Sequence, residues 1–214
     1  MSQSTRDELE RGIATLSLSC NEQQISLLLA YIDLLKKWNS TYNLLGANEI
    51  GNLVSRHILD SLSIHPYLQG ELIADIGAGA GLPGIPLAIL NPDKQFVLLD
   101  SNGKKTRFMF QAKVQLGLEN ISVENCRIEH YQSNRQIDMV ICRAFATLAD
   151  ALNMLQPIFS EKGKLLAMKG FYPEAEIADL PDGFAVSRVI KLDVPGSESH
   201  RHLIEVMRNK ILES

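Results

Sequence analysis

Leu72-Ile73-Ala74-Asp75-Ile76-Gly77-Ala78-Gly79-Ala80-Gly81-Leu82-Pro83-Gly84-Ile85-Pro86-Leu87 is the stretch from which the fold can be read. The apolar run Leu72 to Ile76 has the length and composition of a short buried strand, and it breaks directly into glycines. Gly77, Gly79, Gly81 and Gly84 let the backbone turn sharply and approach a ligand closely. Pro83 and Pro86 suit the first turn of a helix, where a missing N–H is harmless. Strand, glycine turn and helix start form the nucleotide-side element of a doubly wound α/β fold.

Spacing narrows the cofactor. Counted from Gly77, the sixth position is Leu82, where a dinucleotide fingerprint needs glycine, and no Gly-Lys-Ser/Thr ends a phosphate loop. Asp75 just ahead of the loop disfavours a pyrophosphate and favours a cation. S-adenosylmethionine fits that environment: it carries a sulfonium, an ammonium and no phosphate. A second apolar run, Phe96 to Leu99, ends in Asp100 about twenty residues on, where a ribose diol is held in such folds.

Strands are predicted at 71–76, 95–100, 120–125, 137–142, 163–169, 184–194 and 201–208, and helices at 84–91, 103–117, 147–159 and 173–179. The first five strands alternate with helices or loops and read as parallel. The last two are joined by residues 195–200, too few for a crossover, and read as an antiparallel hairpin. The expected fold is a Rossmann-like class I methyltransferase domain, α/β with seven strands and the last antiparallel. It spans 68–214 and follows an N-terminal helical region, 1–67. In that region Leu27, Leu28, Tyr31, Leu34, Leu35 and Trp38 form one apolar helical stripe ending near Asn39. A second helix is predicted from Glu49 to about His65, stopped by Pro66. No glycine-rich linker follows, so this region is expected to pack directly on the α/β core.

The 214 residues carry a net charge of −4, with five basic and seven acidic residues up to Asp60 and sixteen and eighteen after it. Neither part is a basic arm, so RNA contact would rest on local patches: Lys36-Lys37, Arg56-His57, Lys104-Lys105-Thr106-Arg107 and the tail from Arg201 to Lys210. The start lacks the apolar core of a signal peptide, and Ile25 to Leu35 is too short to span a bilayer, so a cytoplasmic protein without membrane attachment is expected. Cys20, Cys126 and Cys142 lack metal spacing; Cys126 and Cys142 are expected as reduced, buried thiols, and no metal is expected.

Residues 25–208 resemble, block by block, the glucose-inhibited division protein B family of ribosomal RNA small-subunit methyltransferases. The blocks are the glycine run, Lys37-Trp38-Asn39 with Tyr42-Asn43-Leu44, Arg56-His57-Ile58-Leu59-Asp60-Ser61, Leu99-Asp100-Ser101, Arg143-Ala144-Phe145-Ala146, Met168-Lys169-Gly170 and Arg201-His202-Leu203. Leu45 and Cys142 depart from the pattern, where Thr and Ser are common, and neither lies in the glycine loop. The resemblance implies methylation at N7 of one guanine in 16S rRNA; the expected partner is that RNA within the small subunit or an assembly intermediate, and the chain is expected to be a monomer. The resemblance also implies that Gly77 and Leu82 line the cofactor, with Ile128 and Glu129 near its adenine and Arg143 facing the transfer site.

Guanine N7 has an in-plane lone pair, so its methylation needs alignment of the reactants and no general base. The motif reading together with the resemblance puts the expected cofactor contacts at Asp75, Gly77, Gly79, Leu82, Asp100, Ile128, Glu129 and Arg143. Arg143 and Lys169, each ending a parallel strand, are expected at the reacting centre. Arg143 is further expected to be a crevice charge whose removal leaves stability nearly unchanged. His57 is read as a core hydrogen-bond partner or an RNA contact, and Trp38 as core. Competing functions are methyl transfer to another acceptor, or a non-catalytic regulator that binds S-adenosylmethionine or RNA.

Overall fold

The computed structural model describes residues 3–156, 158–197 and 200–209. Lys210, the hairpin residues Glu198 and Ser199, and the end of the predicted 68–214 region lie outside them. Seven strands form one sheet in the order β3-β2-β1-β4-β5-β7-β6. They are β1 Leu72–Ile76, β2 Gln95–Leu99, β3 Ile121–Glu124, β4 Ile137–Arg143, β5 Phe159–Lys169, β6 Phe184–Lys191 and β7 His202–Arg208. β1 to β5 pair in parallel, and β7 runs antiparallel to both β5 and β6. All five residues of β1 are buried, as its continuous apolar run requires of a central strand covered on both faces. β1 pairs with β2 on one side and β4 on the other, so the chain reverses direction across the sheet there and opens a crevice beyond their carboxyl ends.

The N-terminal helices are α1 Gln3–Thr15 and α2 Glu22–Tyr42. A capping box between Asn21 and Gln24 opens α2, and left-handed Asn43 closes it, so it outruns the predicted end near Asn39. It packs on α4 Gly84–Leu90 and α5 Gly103–Leu116. Trp38 meets Phe108 edge-on, with ring centroids 5.6 Å apart, which makes it a packing residue. The buried Tyr31 hydroxyl donates to the Ala80 carbonyl at 2.6 Å and ties α2 to the glycine loop. Leu28, Leu35, Ile58 and Leu62 share one apolar cluster with Ile73, Leu98 and Ile141 of the sheet, so the N-terminal helices and the sheet bury each other directly.

Several predicted elements differ in type or in bounds. Residues 49–65 are not one α-helix: a 3₁₀ segment Ala47–Asn52 leads into a π-helical segment Val54–Leu59, then α3 Asp60–Leu62 and a 3₁₀ turn at His65–Tyr67. The wider π turn changes where Arg56, His57 and Asp60 point, and such turns recur at functional sites. The predicted helix 147–159 is α6 Leu148–Leu155, and β5 starts earlier than expected, at Phe159. Phe159 pairs with Ile137 across a register shift and packs edge-on against Phe184. β6 ends at Lys191, short of the predicted 194.

Candidate functional site

Two cavities open beyond the carboxyl ends of the central strands. The first, about 450 Å³, is lined by Ile76, Gly77, Leu99, Asp100, Ile128, Glu129 and Phe145 among others. Gly77 has φ +64°, and a Cβ there would overlap the Phe145 ring, so glycine is required twice over. Asp100 is nearly buried, with one carboxylate oxygen accepting from Gly79 N–H at 2.9 Å and the other from Asn102 N–H at 2.8 Å. Those two bonds lock the carboxylate across the glycine loop and the start of α5, leaving lone pairs for a diol. Ile128 supplies an apolar wall and Glu129 a polar edge, the complement of a nucleoside. These residues fit S-adenosylmethionine, since the glycine cradle would be filled by any side chain.

Of the predicted cofactor residues, Gly77, Asp100, Ile128 and Glu129 meet in this cleft. Asp75, Gly79 and Leu82 do not line it. Asp75 is fully buried behind the loop, where its Oδ2 accepts from Gly84 N–H at 2.7 Å. That bond organises the turn into α4, and the other Asp75 oxygen has no hydrogen-bond partner among the described residues. Burial pushes its carboxyl up to about 7, against the Gly84 bond and the Arg143 charge, which lower it. A group with a raised folded pKa binds more protons folded than unfolded, so its contribution to stability falls as pH rises from about 4 to 7. Asp75→Asn keeps an acceptor for Gly84, and urea denaturation across pH 4–8 is expected to show that this fall disappears. An unchanged pH profile would mean that Asp75 is ionised throughout.

Cys126 was expected buried and instead is half-buried on the cleft wall, where burial still raises its thiol pKa. Cys142 is buried, its thiol pushed up to about 12 by desolvation. Among the described residues no group of three or more His, Cys, Asp or Glu is placed to hold a metal, and no helix is long and apolar enough to cross a membrane.

The second cavity, about 400 Å³, is lined by Leu45, Glu49, Arg56, His57, Asp60, Arg143, Ala144, Met168, Lys169, Gly170 and Arg201. Ala144, at φ +50°, borders both cavities. A non-glycine residue held there is strained, and it marks the point where β4 turns between the two chambers.

Arg143 belongs to the second cavity and not to the cofactor cleft. It is no free crevice charge: its guanidinium donates to Asp60 Oδ2 at 3.0 Å and to His57 Nδ1 at 3.1 Å, with the Arg56 carbonyl at 3.4 Å. Asp60 is 2% exposed and its other oxygen takes Arg201 Nε at 2.8 Å. Sequence reading placed Asp60 only inside a family-like block, because its partners lie 83 and 141 residues away. His57 is buried, and desolvation followed by the Arg143, Arg56 and Arg201 charges lowers its pKa to about 3, so the imidazole is neutral at pH 7. With the Arg143 N–H donating to Nδ1, the His57 proton sits on Nε2, 3.1 Å from Glu49 Oε2. Lys169 also lines this cavity, but its ammonium is held by Glu176 at 2.7 Å and the Ala146 carbonyl at 2.8 Å.

Comparisons with known proteins agree with this architecture. The family described as rRNA small subunit methyltransferase G matches residues 24–204. Ribosomal RNA small subunit methyltransferase G of Nitrosococcus oceani is 48% identical over 198 residues, covering 92% of each chain. Its namesake from Salmonella schwarzengrund is 47% identical over 205 residues, 96% of this chain and 99% of that one. Among solved structures, an S-adenosylmethionine-dependent methyltransferase from Thiobacillus denitrificans, bound to S-adenosyl-L-homocysteine, superposes with TM-score 0.54 at 14% identity. It covers 82% of this chain and 98% of its own, a likeness of fold. With its matched span, its close relatives and the glycine-lined cleft at the reversal of the sheet, the chain belongs to the rRNA small subunit methyltransferase G family.

Proposed function

We propose that this chain transfers a methyl group from S-adenosylmethionine to N7 of a guanine in 16S rRNA, as a cytoplasmic monomer acting on the small subunit or an assembly intermediate. Residues 1–67 and 68–214 serve this activity as one unit. The observation that carries the reading is that Ala144 borders both chambers, so a cleft suited to a nucleoside cofactor meets a cavity rimmed by Arg56, Arg143 and Arg201. When bound, S-adenosylmethionine supplies an electrophilic methyl on a sulfonium.

The residues of the chain supply alignment. Asp100 holds the ribose diol, Gly77 admits the backbone close to the ligand, and Ile128 with Glu129 bounds the adenine. The N7 lone pair attacks directly, so no side chain needs to take a proton, and the second cavity holds the base in line. Arg143 is fixed by Asp60 and His57 beside Ala144, where its position sets the acceptor side of that line. Lys169, paired with Glu176, acts through the rim it supports.

Incubating the protein and S-adenosylmethionine with small subunits that lack the modification tests this. Nucleoside mass spectrometry is expected to find one N7-methylguanosine in 16S rRNA; a label on another base or position sinks the reading. Two further outcomes are expected. Asp100→Ala should weaken S-adenosylmethionine binding by about 1–3 kcal/mol, the worth of hydrogen bonds to a charged group; unchanged affinity by calorimetry in a folded variant would remove Asp100 from the site. A chain of net charge −4 with local cationic rims should bind a short hairpin weakly and with steep salt dependence, so subunits should be far better substrates. Efficient methylation of that hairpin at physiological salt would argue against a ribosome-shaped acceptor.

A further inference from the structure

The second cavity contains one carboxylate that the network above does not consume. Asp60 gives one oxygen to each of two arginines and is almost fully buried. Glu49 differs: its side chain is 40% exposed, it lines the cavity, and its one ion-pair contact among the described residues is the His57 ring, 3.1 Å away. His57 Nε2 is buried, lies 3.1 Å from Glu49 Oε2 and makes no hydrogen bond among the described residues. We infer that Glu49 reads the Watson–Crick edge of the acceptor guanine, its carboxylate accepting from N1–H and the 2-amino group, with His57 as the positioning residue that orients it. The inference rests on the function proposed above and deepens it by assigning base selection.

Chemistry selects guanine for this carboxylate. Guanine alone among the four bases presents two adjacent donors, N1–H and the 2-amino group, to a paired acceptor. Adenine puts a lone pair at N1, which a carboxylate repels. A base splayed into a pocket is read along this edge, and bonds to an ionised acceptor are the strong ones. The Hoogsteen edge, which carries N7, stays free of this contact, and Ala144 and the Arg143 guanidinium line the same chamber.

Glu49 should also act on the rate. As the N7–carbon bond forms, positive charge spreads through the purine, and N1–H and the 2-amino group become better donors. A carboxylate on that edge therefore binds the transition state more tightly than the ground state. The contacts behind Glu49 start from Asp60, which fixes Arg143; Arg143 donates to His57 Nδ1, which leaves the ring proton on Nε2, 3.1 Å from Glu49 Oε2.

The test uses small subunits reconstituted with 16S rRNA in which the guanosine mapped with the wild-type protein is replaced by inosine, which lacks only the 2-amino group. Single-turnover rates at saturating S-adenosylmethionine are measured for the wild-type chain, Glu49→Gln and Glu49→Ala. The wild-type chain should prefer guanosine about tenfold or more, the worth of one bond to a charged acceptor. Both variants should lose about ten- to hundredfold on guanosine and bring the two substrates within about twofold of each other, with S-adenosylmethionine affinity and melting temperature unchanged. A variant with the wild-type rate, or one that slows both substrates equally and keeps the guanosine preference, overturns the assignment. Absence of N7-methylguanosine with the wild-type chain overturns the function itself, and the assignment with it.

Discussion

Asp60→Ala is expected to lower the stability of the chain by about 3–5 kcal/mol, the loss typical when one partner of a buried ion pair is removed. The carboxylate is 2% exposed and holds Arg143 at 3.0 Å and Arg201 at 2.8 Å. Side-chain exposures of 19% and 23% put both arginines largely out of solvent, so screening recovers little of what the deletion removes. Without Asp60 two guanidinium groups face each other across a small vacancy, and their repulsion adds to a desolvation cost that no carboxylate now offsets. For a chain of this length each kcal/mol shifts the melting temperature by about 2–4 °C, so calorimetry should register a drop of roughly 6–20 °C. Asp60→Asn retains an acceptor of similar shape and should lose less, with the remaining deficit reporting the charge itself. A drop below about 1 kcal/mol for Asp60→Ala would show that water, not Asp60, compensates the arginines.

The parts of the fold that were legible in sequence are those whose cause is local. The buried run Leu72–Ile76 has no polar alternation because β1 is covered on both faces. Asp100 could be found because it ends the neighbouring strand, and its bond to Gly79 joins the two features that marked the cofactor cleft. The segment from Glu49 to His65 was legible as helical but not as 3₁₀, π and α turns in series, since one apolar stripe is compatible with all three over so short a span. The start of β5 was missed because Ser160-Glu161-Lys162-Gly163 has turn composition, and only pairing with Ile137 and packing on Phe184 make Phe159 a strand residue. The second cavity was the least legible part. Asp60 and Glu49 carry no motif spacing, and their roles exist only once β4 and β7 bring Arg143 and Arg201 beside the π turn. Asp75 shows the converse: its position ahead of the loop suggested a ligand contact, and burial assigned it to the Gly84 N–H.

Arg143→Ala should slow single-turnover methyl transfer about a hundredfold or more, the scale of displacing reactants by an ångström, while leaving S-adenosylmethionine affinity intact. The arginine lines the second cavity and not the cofactor cleft, which separates the two readouts. Stability should also fall, by about 1–3 kcal/mol, because His57 Nδ1 loses its donor; Asp60 keeps Arg201, which limits the damage below that of Asp60→Ala. A third consequence follows from charge. Burial and then Arg143 hold the His57 pKa at about 3, so deleting the cation should raise it, while burial and the Arg56 and Arg201 charges still keep it below the ordinary value of about 6.5. His57 then protonates at a higher pH than in the wild-type chain, Nδ1 ceases to be an acceptor there, and the acid-side fall of the residual rate should begin at a higher pH than in the wild-type profile. Arg143→Lys should restore part of the charge effect on His57 but not the rate, since an ammonium cannot reproduce a planar fork across Asp60 and His57. NMR titration of the His57 ring, set beside the rate profile, distinguishes this from simple destabilisation, which would lower activity without moving that titration. A normal rate in a folded Arg143→Ala variant would make Arg143 a purely structural partner of Asp60, and the alignment of the acceptor would then rest on Arg56 and Arg201.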